Sequence, residues 1–267
     1  MKKKYLPALL AGIIIIISAI VYFGRTAGIR DLPEILKDGR LSVLIESGEH
    51  GFTKDSMKVY GFQYEMIKRF SNAIGVELVV INEENTKDGI AELTEGKCDV
   101  LVSLRPIVND STLPVRYFKP IISTRLMLVQ RKDSVGNHQI SKQYELDNDT
   151  ITLMQNAPYT PRLKDLSEEM AANIFFHEVD RENLDEMIRM VSENKCTYTV
   201  CPEYLAKSLI NRYPNIDISV PLSFKEDLSW SVNSYSVALH ERLSIFLDEF
   251  VGSPEYFSLY QKYFGNR

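Results

Sequence analysis

The 267 residues are 45% apolar and 25% charged, enough to bury a large core as one large domain or two smaller lobes. Residues 1–30 hold five of the 31 basic residues and none of the 36 acidic ones, so the remainder carries a net −10. That balance excludes a nucleic-acid binder and gives no electrostatic reason to lie on anionic lipid, which leaves small molecules, peptides and other proteins as partners.

In chain order, Lys2, Lys3 and Lys4 precede an apolar run from Leu6 to Phe23, 18 residues with five consecutive isoleucines at Ile13 to Ile17. The run is just long enough to cross a bilayer as a helix and long for a signal peptide. An uncleaved signal-anchor over residues 1–30 is the favoured reading, beside a cleaved signal peptide. The lysines would keep the N-terminus in the cytoplasm and the rest extracytoplasmic or periplasmic, on a single pass through the inner membrane.

From Leu41 strands and helices alternate. Leu41 to Glu46 reads as a buried strand, and Phe62, Met66, Ile67, Phe70, Ala73 and Ile74 recur at helical spacing with Gly75 as the stop. Val76 to Ile81 is a strand, Lys87 to Thr94 a helix, and Cys98 to Ser103 a strand that breaks at Arg105-Pro106. Residues 123–131 read as one strand, and the polar stretch Lys132 to Thr150 as a boundary. The rhythm then restarts: strands at Ile151 to Met154, Ile174 to His177, Tyr198 to Cys201 and Leu228 to Tyr235. Helices are expected at Tyr159 to Ala172, Leu184 to Glu193, Glu203 to Arg212, Leu239 to Val251 and Pro254 to Phe264. This alternation predicts an α/β fold with largely parallel sheets. EGKCDVLV at Glu95 to Val102 is echoed by ENKCTYTV at Glu193 to Val200, a weak repeat that supports two related lobes. Cys98, Cys196 and Cys201 are too few and too poorly placed for a disulfide framework, and the four histidines show no metal-ligand spacing. No metal and no cofactor are expected.

The order strand, loop, YGFQYEMIKRFSNAIGVELVVI, helix, EGKCDVLVS and the Phe118-Lys119-Pro120 turn resembles the family 3 periplasmic solute-binding proteins. The closing VNSYSVALHERLSIFLDEFVGSPEYFSLYQKYFG is similar to that family's last helices. Within the family the likeness falls on the non-catalytic, solute-binding-like domain of membrane-bound lytic murein transglycosylase F, through DLPEILKDGRLSVLIESG and KCTYTVCPEYLAKSLINRYP. The resemblance implies a two-lobe periplasmic-binding-protein fold, with residues 31–127 and 228–267 as lobe 1 and 128–227 as lobe 2. Crossing strands are expected near Leu126–Arg131 and Val220–Leu228, and a ligand in an inter-lobe cleft. The transglycosylase carries a lysozyme-like catalytic domain after this module; here the chain stops at Arg267, and peptidoglycan cleavage is not expected.

For an amino-acid binder the resemblance implies a lobe 1 arginine that pairs bidentately with a carboxylate, and a lobe 2 aspartate for the ammonium. Counting from the Phe118-Lys119-Pro120 turn puts Ser111 at the arginine position and Pro106 at a donor position. Asn156-Ala157-Pro158 takes the place of a Gly-Thr-type helix start, and Pro202 that of the aspartate. Plain α-amino acids are therefore not the expected ligand. Replacement chemistry is present. Arg105 lies at a carboxyl strand edge, where open α/β sheets put ligands, and its alternative is a surface ion pair. Glu203 is a replacement acceptor for an ammonium, or simply a favourable acid in a first helical turn. Glu46, Glu49, His50 and Phe52 form the first strand–helix loop, with Phe52 placed to stack on a ligand or to pack. Tyr159 faces a ligand or seals lobe 2, and Trp230 is read as core.

The expected function is a membrane-anchored solute-binding module for a peptide, muropeptide or modified amino acid, acting as sensor, adaptor or transport-associated receptor. The candidate ligand residues are Glu46, Phe52, Arg105, Ser111, Asn156, Tyr159 and Glu203. A transporter or cell-wall enzyme is the expected protein partner. The alternative is a degenerate pseudo-receptor that serves as an interaction scaffold. A cyclohexadienyl-dehydratase-like enzyme, with Glu203 or Glu46 as a general acid of raised carboxyl pKa, ranks below both, since its carboxylate substrates want the arginine clamp that Ser111 does not provide.

Overall fold

The computed structural model describes residues 28–265 apart from 49, 56–57, 84–88, 108–111, 134, 137–138, 156, 158 and 181–183. The expected signal-anchor therefore falls outside the described residues, among which no helix is long and apolar enough to cross a membrane. Ser111 and Asn156 also lie outside them.

The chain forms two compact units. Unit 1 comprises the chain up to Lys119 together with Ser229–Val251, and unit 2 comprises Pro120–Leu228 together with Gly252–Arg267. Unit 1 starts with helix α1 (Leu32–Asp38) and strand β1 (Arg40–Glu46), followed by a small hairpin, β2 (Thr53–Lys54) and β3 (Val59–Tyr60). Helix α2 (Phe62–Ala73), β4 (Glu77–Glu83), α3 (Gly89–Thr94), β5 (Val100–Pro106) and β6 (Val115–Tyr117) come next. β1 runs parallel to both β4 and β5. Along α2 the buried Phe62, Met66, Ile67 and Phe70 recur at i, i+4, i+5 and i+8, the spacing that puts one stripe against a sheet. Burying each such side chain stabilises by roughly 1.5–3 kcal/mol. Trp230, the only tryptophan in the sequence, is fully buried and donates Nε1–H to Gln63 Oε1 at 3.0 Å.

Unit 2 contains β7 (Ile122–Thr124), β8 (Leu126–Arg131), β9 (Thr150–Met154), α4 (Thr160–Glu169), β10 (Phe175–Val179), α5 (Leu184–Ser192), β11 (Tyr198–Pro202), α6 (Glu203–Leu209) and β12 (Ile216–Asp217). Its sheet has the order β10-β9-β11-β8-β12, parallel from β10 to β11 and antiparallel beyond. Strand β13 (Glu226–Asn233) begins in unit 2 and ends in unit 1, where α7 (Val237–Phe250) follows; α8 (Pro254–Phe264) closes the chain in unit 2.

Several expectations change. The strand predicted over 123–131 is two strands separated at Arg125: β7 pairs with β13, while β8 pairs with β11 and lies wholly in unit 2. The first passage between units therefore falls at Lys119–Pro120, ahead of the expected Leu126–Arg131, and the second at Leu228–Ser229. The last helix belongs with unit 2 rather than with the 228–267 segment. Tyr256 Oη donates to Ile121 O at 2.7 Å, and Phe264 meets Tyr204 edge-on at 5.2 Å. The polar stretch Lys132 to Thr150 is no boundary. Ile140 and Leu146 are buried in the unit 2 core, and the buried Gln130 amide brackets Ile140, donating to its carbonyl at 2.6 Å and accepting its N–H at 2.8 Å.

Candidate functional site

In unit 1 the parallel pairing of β1 with β5 places Ile45 opposite Val102, so Glu46, the last residue of β1, stands beside Ser103 of β5. The strand does not break before Arg105-Pro106, as expected, but runs through Pro106. Ser103 is buried, and its hydroxyl donates to the Glu46 carboxylate while accepting Arg105 Nε–H at 3.3 Å. A carboxylate, a hydroxyl and a guanidinium thus stand in line at the carboxyl edge of a parallel sheet, the place where this class of sheet collects ligands. Ser103 was read from sequence only as a strand end; its linking role depends on a neighbour 57 residues away.

The loop after β1 turns back on itself through Gly51 N–H to Gly48 O at 3.0 Å and Phe52 N–H to Glu46 O at 2.9 Å. A Cβ on Gly51 would meet Glu46 O at 2.0 Å, and one on Gly61 would meet Gly51 O at 2.0 Å, so the tight approach requires both glycines. The His50 and Gly51 carbonyls accept the N–H groups of Gln63 and Tyr64, each at 3.2 Å. These are orphan donors of the first turn of α2, satisfied here by the loop itself. Phe52 is half-buried and packs edge-on against Tyr64 at 5.4 Å. The Phe118-Lys119 part of the turn is held within unit 1: Phe118 stacks on His240 at 4.8 Å, and Lys119 pairs with Asp248 at 3.1 Å.

Unit 2 treats its candidates differently. Glu203 opens α6, and both carboxylate oxygens are engaged: Oε2 by Arg125 Nε at 3.0 Å and Oε1 by Lys207 Nζ at 2.7 Å. Burial pushes this carboxyl up, but the hydrogen bonds and charges of Lys207 and Arg125 outweigh it and hold the group below the usual range. Glu203 is thus an ionised, doubly paired carboxylate, not the protonated acid that dehydratase chemistry requires. Lys207 was visible as an i+4 partner; Arg125, 78 residues away, carried no local signal. Tyr159 packs against the unit 2 core with its hydroxyl 3.4 Å from Val200 O, and burial pushes that hydroxyl well above its ordinary pKa. Pro202 ends β11 and caps α6 without a side-chain hydrogen bond.

All three cysteines are free thiols, and burial pushes those of Cys196 and Cys201 above their ordinary pKa. Among the described residues no group of three histidine, cysteine or acidic side chains is placed to hold a metal ion.

The model of the bacterial extracellular solute-binding proteins, family 3, matches residues 41–266. Among curated proteins, the chain is similar to membrane-bound lytic murein transglycosylase F of Desulfosudis oleivorans, 23% identical over 91% of this chain and 52% of that protein. The corresponding enzyme of Pseudomonas fluorescens is 24% identical over 88% of this chain and 48% of its own length. The chain thus spans about half the length of the curated relatives it matches. Among solved structures, it resembles a mutant of ArgBP from T. maritima with a TM-score of 0.69, at 20% identity, covering 88% of this chain and 99% of that one. It also resembles an amino acid ABC transporter substrate-binding protein from Streptococcus pneumoniae bound to L-arginine, with a TM-score of 0.70 at 14% identity, over 87% and 98% of the two chains. At these identities the likeness establishes the two-lobe periplasmic-binding-protein fold.

Proposed function

This chain belongs to the bacterial extracellular solute-binding proteins, family 3, and we propose that within it the protein is a membrane-tethered, extracytoplasmic receptor for a small carboxylate-bearing ligand. The ligand is a peptide, a muropeptide or a modified amino acid, and the role is that of a sensor, adaptor or transport-associated receptor. The observation that carries this reading is the Glu46–Ser103–Arg105 line at the carboxyl edge of the unit 1 sheet. A guanidinium there offers a planar fork to a carboxylate. Ser103 holds Arg105 one hydroxyl away from Glu46, so cation and anion are linked without collapsing onto each other. The apolar run before residue 28 supports the tether.

Thermal unfolding of the full chain in detergent, followed by Trp230 emission, tests the reading against amino acids, short peptides and muropeptides. A ligand at one hundred times its Kd stabilises by about 2.7 kcal/mol, a rise in Tm on the order of 5 °C. The expected result is a peptide or muropeptide response that disappears in Arg105→Ala. A response that survives Arg105→Ala removes the unit 1 line from the binding machinery.

A second reading, the interaction scaffold, is favoured by unit 2. Its charged candidate, Glu203, is neutralised internally by Arg125 and Lys207, and the Tyr159 hydroxyl is turned onto Val200 O. Silence across the whole panel would select it.

A further inference from the structure

Residues 28–31 are stitched to unit 1 far more heavily than a chain entry requires. Gly28 lies against Gly96, where an added Cβ would meet the Gly28 carbonyl carbon at 2.6 Å. Arg30 forks onto the buried Asp99, Nε to Oδ1 at 3.0 Å and Nη2 to Oδ2 at 2.5 Å, and reaches Asp38 at 2.8 Å with Nη1. Ser236 donates to Arg30 O at 2.8 Å. Asp31 caps two helices at once: its carboxylate accepts Leu32 N–H at the start of α1, and Ala238 and Leu239 N–H at the start of α7, at 3.0 and 2.7 Å.

These fastenings gather at the amino edge of the parallel strands, beside Arg40 of β1 and Asp99 just before β5. The ligand candidates Glu46, Ser103 and Arg105 stand at the opposite, carboxyl edge. The two edges are separated by the seven residues of β1, about 20 Å at 3.3 Å per residue. Only Gly24, Arg25, Thr26 and Ala27 lie between the end of the apolar run at Phe23 and the fastened Gly28. Five residue steps reach no more than about 18 Å even when fully extended.

We infer that unit 1 sits with its amino-edge face on the lipid headgroup layer, so that the Glu46–Ser103–Arg105 edge points away from the membrane. This rests on the tethered-receptor reading above. The face presents two large apolar side chains in the open, Leu36 on α1 at 48% exposure and Val237 at the start of α7 at 50%. Lys37 and Arg40 are exposed beside them, with Arg40 paired to Asp38 at 3.3 Å. The charge there is mixed, so it is the short leash that places this face at the bilayer, not attraction to anionic lipid. A receptor held this way keeps its ligand edge open to the extracytoplasmic space.

The test uses the full chain in lipid nanodiscs with a Cys196→Ala background, because Cys98 and Cys201 are buried. An environment-sensitive fluorophore is attached at Leu36→Cys or at Lys54→Cys, the latter an exposed position of the hairpin that follows the carboxyl end of β1. Quenching by lipids spin-labelled on the headgroup is then compared, with Trp230 emission as the check on folding. The expected result is severalfold stronger quenching at Leu36→Cys. Equal quenching, or stronger quenching at Lys54→Cys, on discs that retain the protein overturns the orientation and leaves the tether standing. A protein that separates from the discs, with the intact mass of a chain lacking the apolar run, overturns the tether and the orientation with it.

Discussion

The two halves of the molecule solve one local problem in the same way and then diverge. In unit 1 the helix before β5 ends on Gly96, with Lys97 N–H on Glu92 O at 3.0 Å and Gly96 N–H on Leu93 O at 3.2 Å. In unit 2 the helix before β11 ends on Asn194, with Lys195 N–H on Met190 O at 2.8 Å and Asn194 N–H on Val191 O at 3.1 Å. Both are the same left-handed helix stop, at φ +74° and +62°. The sequence echo EGKC/ENKC is therefore a structural repeat of cap, cysteine and buried strand. Unit 1 needs glycine because the Gly28 backbone crowds that position; at Asn194 a side chain fits, tolerates the left-handed region and accepts Arg131 Nη1–H on its Oδ1 at 2.5 Å. The next position separates the halves further. Asp99 is buried and anchors Arg30, whereas Thr197 is exposed. A shared local rule has been built into a fastening point in one unit and left bare in the other.

Removing the fastening should have the largest effect. Arg30→Ala leaves the Asp99 carboxylate buried without its cation and is expected to cost about 3 kcal/mol. Thr197→Ala, at the unit 2 position that corresponds to Asp99, should stay within about 0.5 kcal/mol. Urea denaturation of both variants checks the contrast, and equal effects would end the comparison.

Gly96→Ala adds a left-handed penalty of roughly 1–2 kcal/mol and a backbone clash, for about 2–3 kcal/mol in total. Asn194→Gly keeps the left-handed backbone and loses only the exposed bond from Arg131 to the Asn194 side chain, so it should cost no more than about 1 kcal/mol. Denaturation midpoints measured side by side decide whether crowding by Gly28 is the reason for the difference.

Ser103→Ala removes the hydroxyl that joins Glu46 to Arg105 and should cost about 1–2 kcal/mol. It should also weaken any ligand response that depends on Arg105. A variant with normal ligand response would show that the hydroxyl does not position the guanidinium.

The smallest effect concerns Glu203 in unit 2. Its folded-state pKa lies below its unfolded value, so its stabilisation is present above the unfolded value and is lost as pH falls through the folded one. Glu203→Gln should unfold a few degrees earlier than the parent at pH 7, with the gap closing on acidification. A gap that is constant from pH 7 to pH 3 would mean that the pairs with Arg125 and Lys207 contribute nothing electrostatic.

Much of the fold was legible because helix stripes and buried strands are written in local spacing. α2, α5, α7 and α8 begin and end within a few residues of their expected bounds. Strands β2, β3, β6, β7 and β12 have two or three residues each, too few to show any period. The stretch from Lys132 to Thr150 read as a boundary because its composition is polar, yet Ile140 and Leu146 are core residues, and Ile140 is held by Gln130 from outside the stretch. In the candidate site, Glu46, Arg105 and Glu203 were legible as charged residues at element ends. Their partners Ser103 and Arg125 were not, since strand pairing alone brings them there.

By itself, the sequence determined the alternation of strands and helices, the family likeness, the paired EGKC/ENKC caps and the apolar run before residue 28. All of these are set by neighbours within a turn or two, where spacing and backbone sterics act directly. Only the tertiary structure decided which unit receives the last helix, where the chain passes from unit to unit, and which charges are committed. An amphipathic stripe says that a helix is buried, but not against what. A carboxylate acts as an acid, a ligand group or a structural ion pair according to which cation the fold brings within 3 Å. At Glu203 the fold brought two of them, from one turn and from 78 residues away.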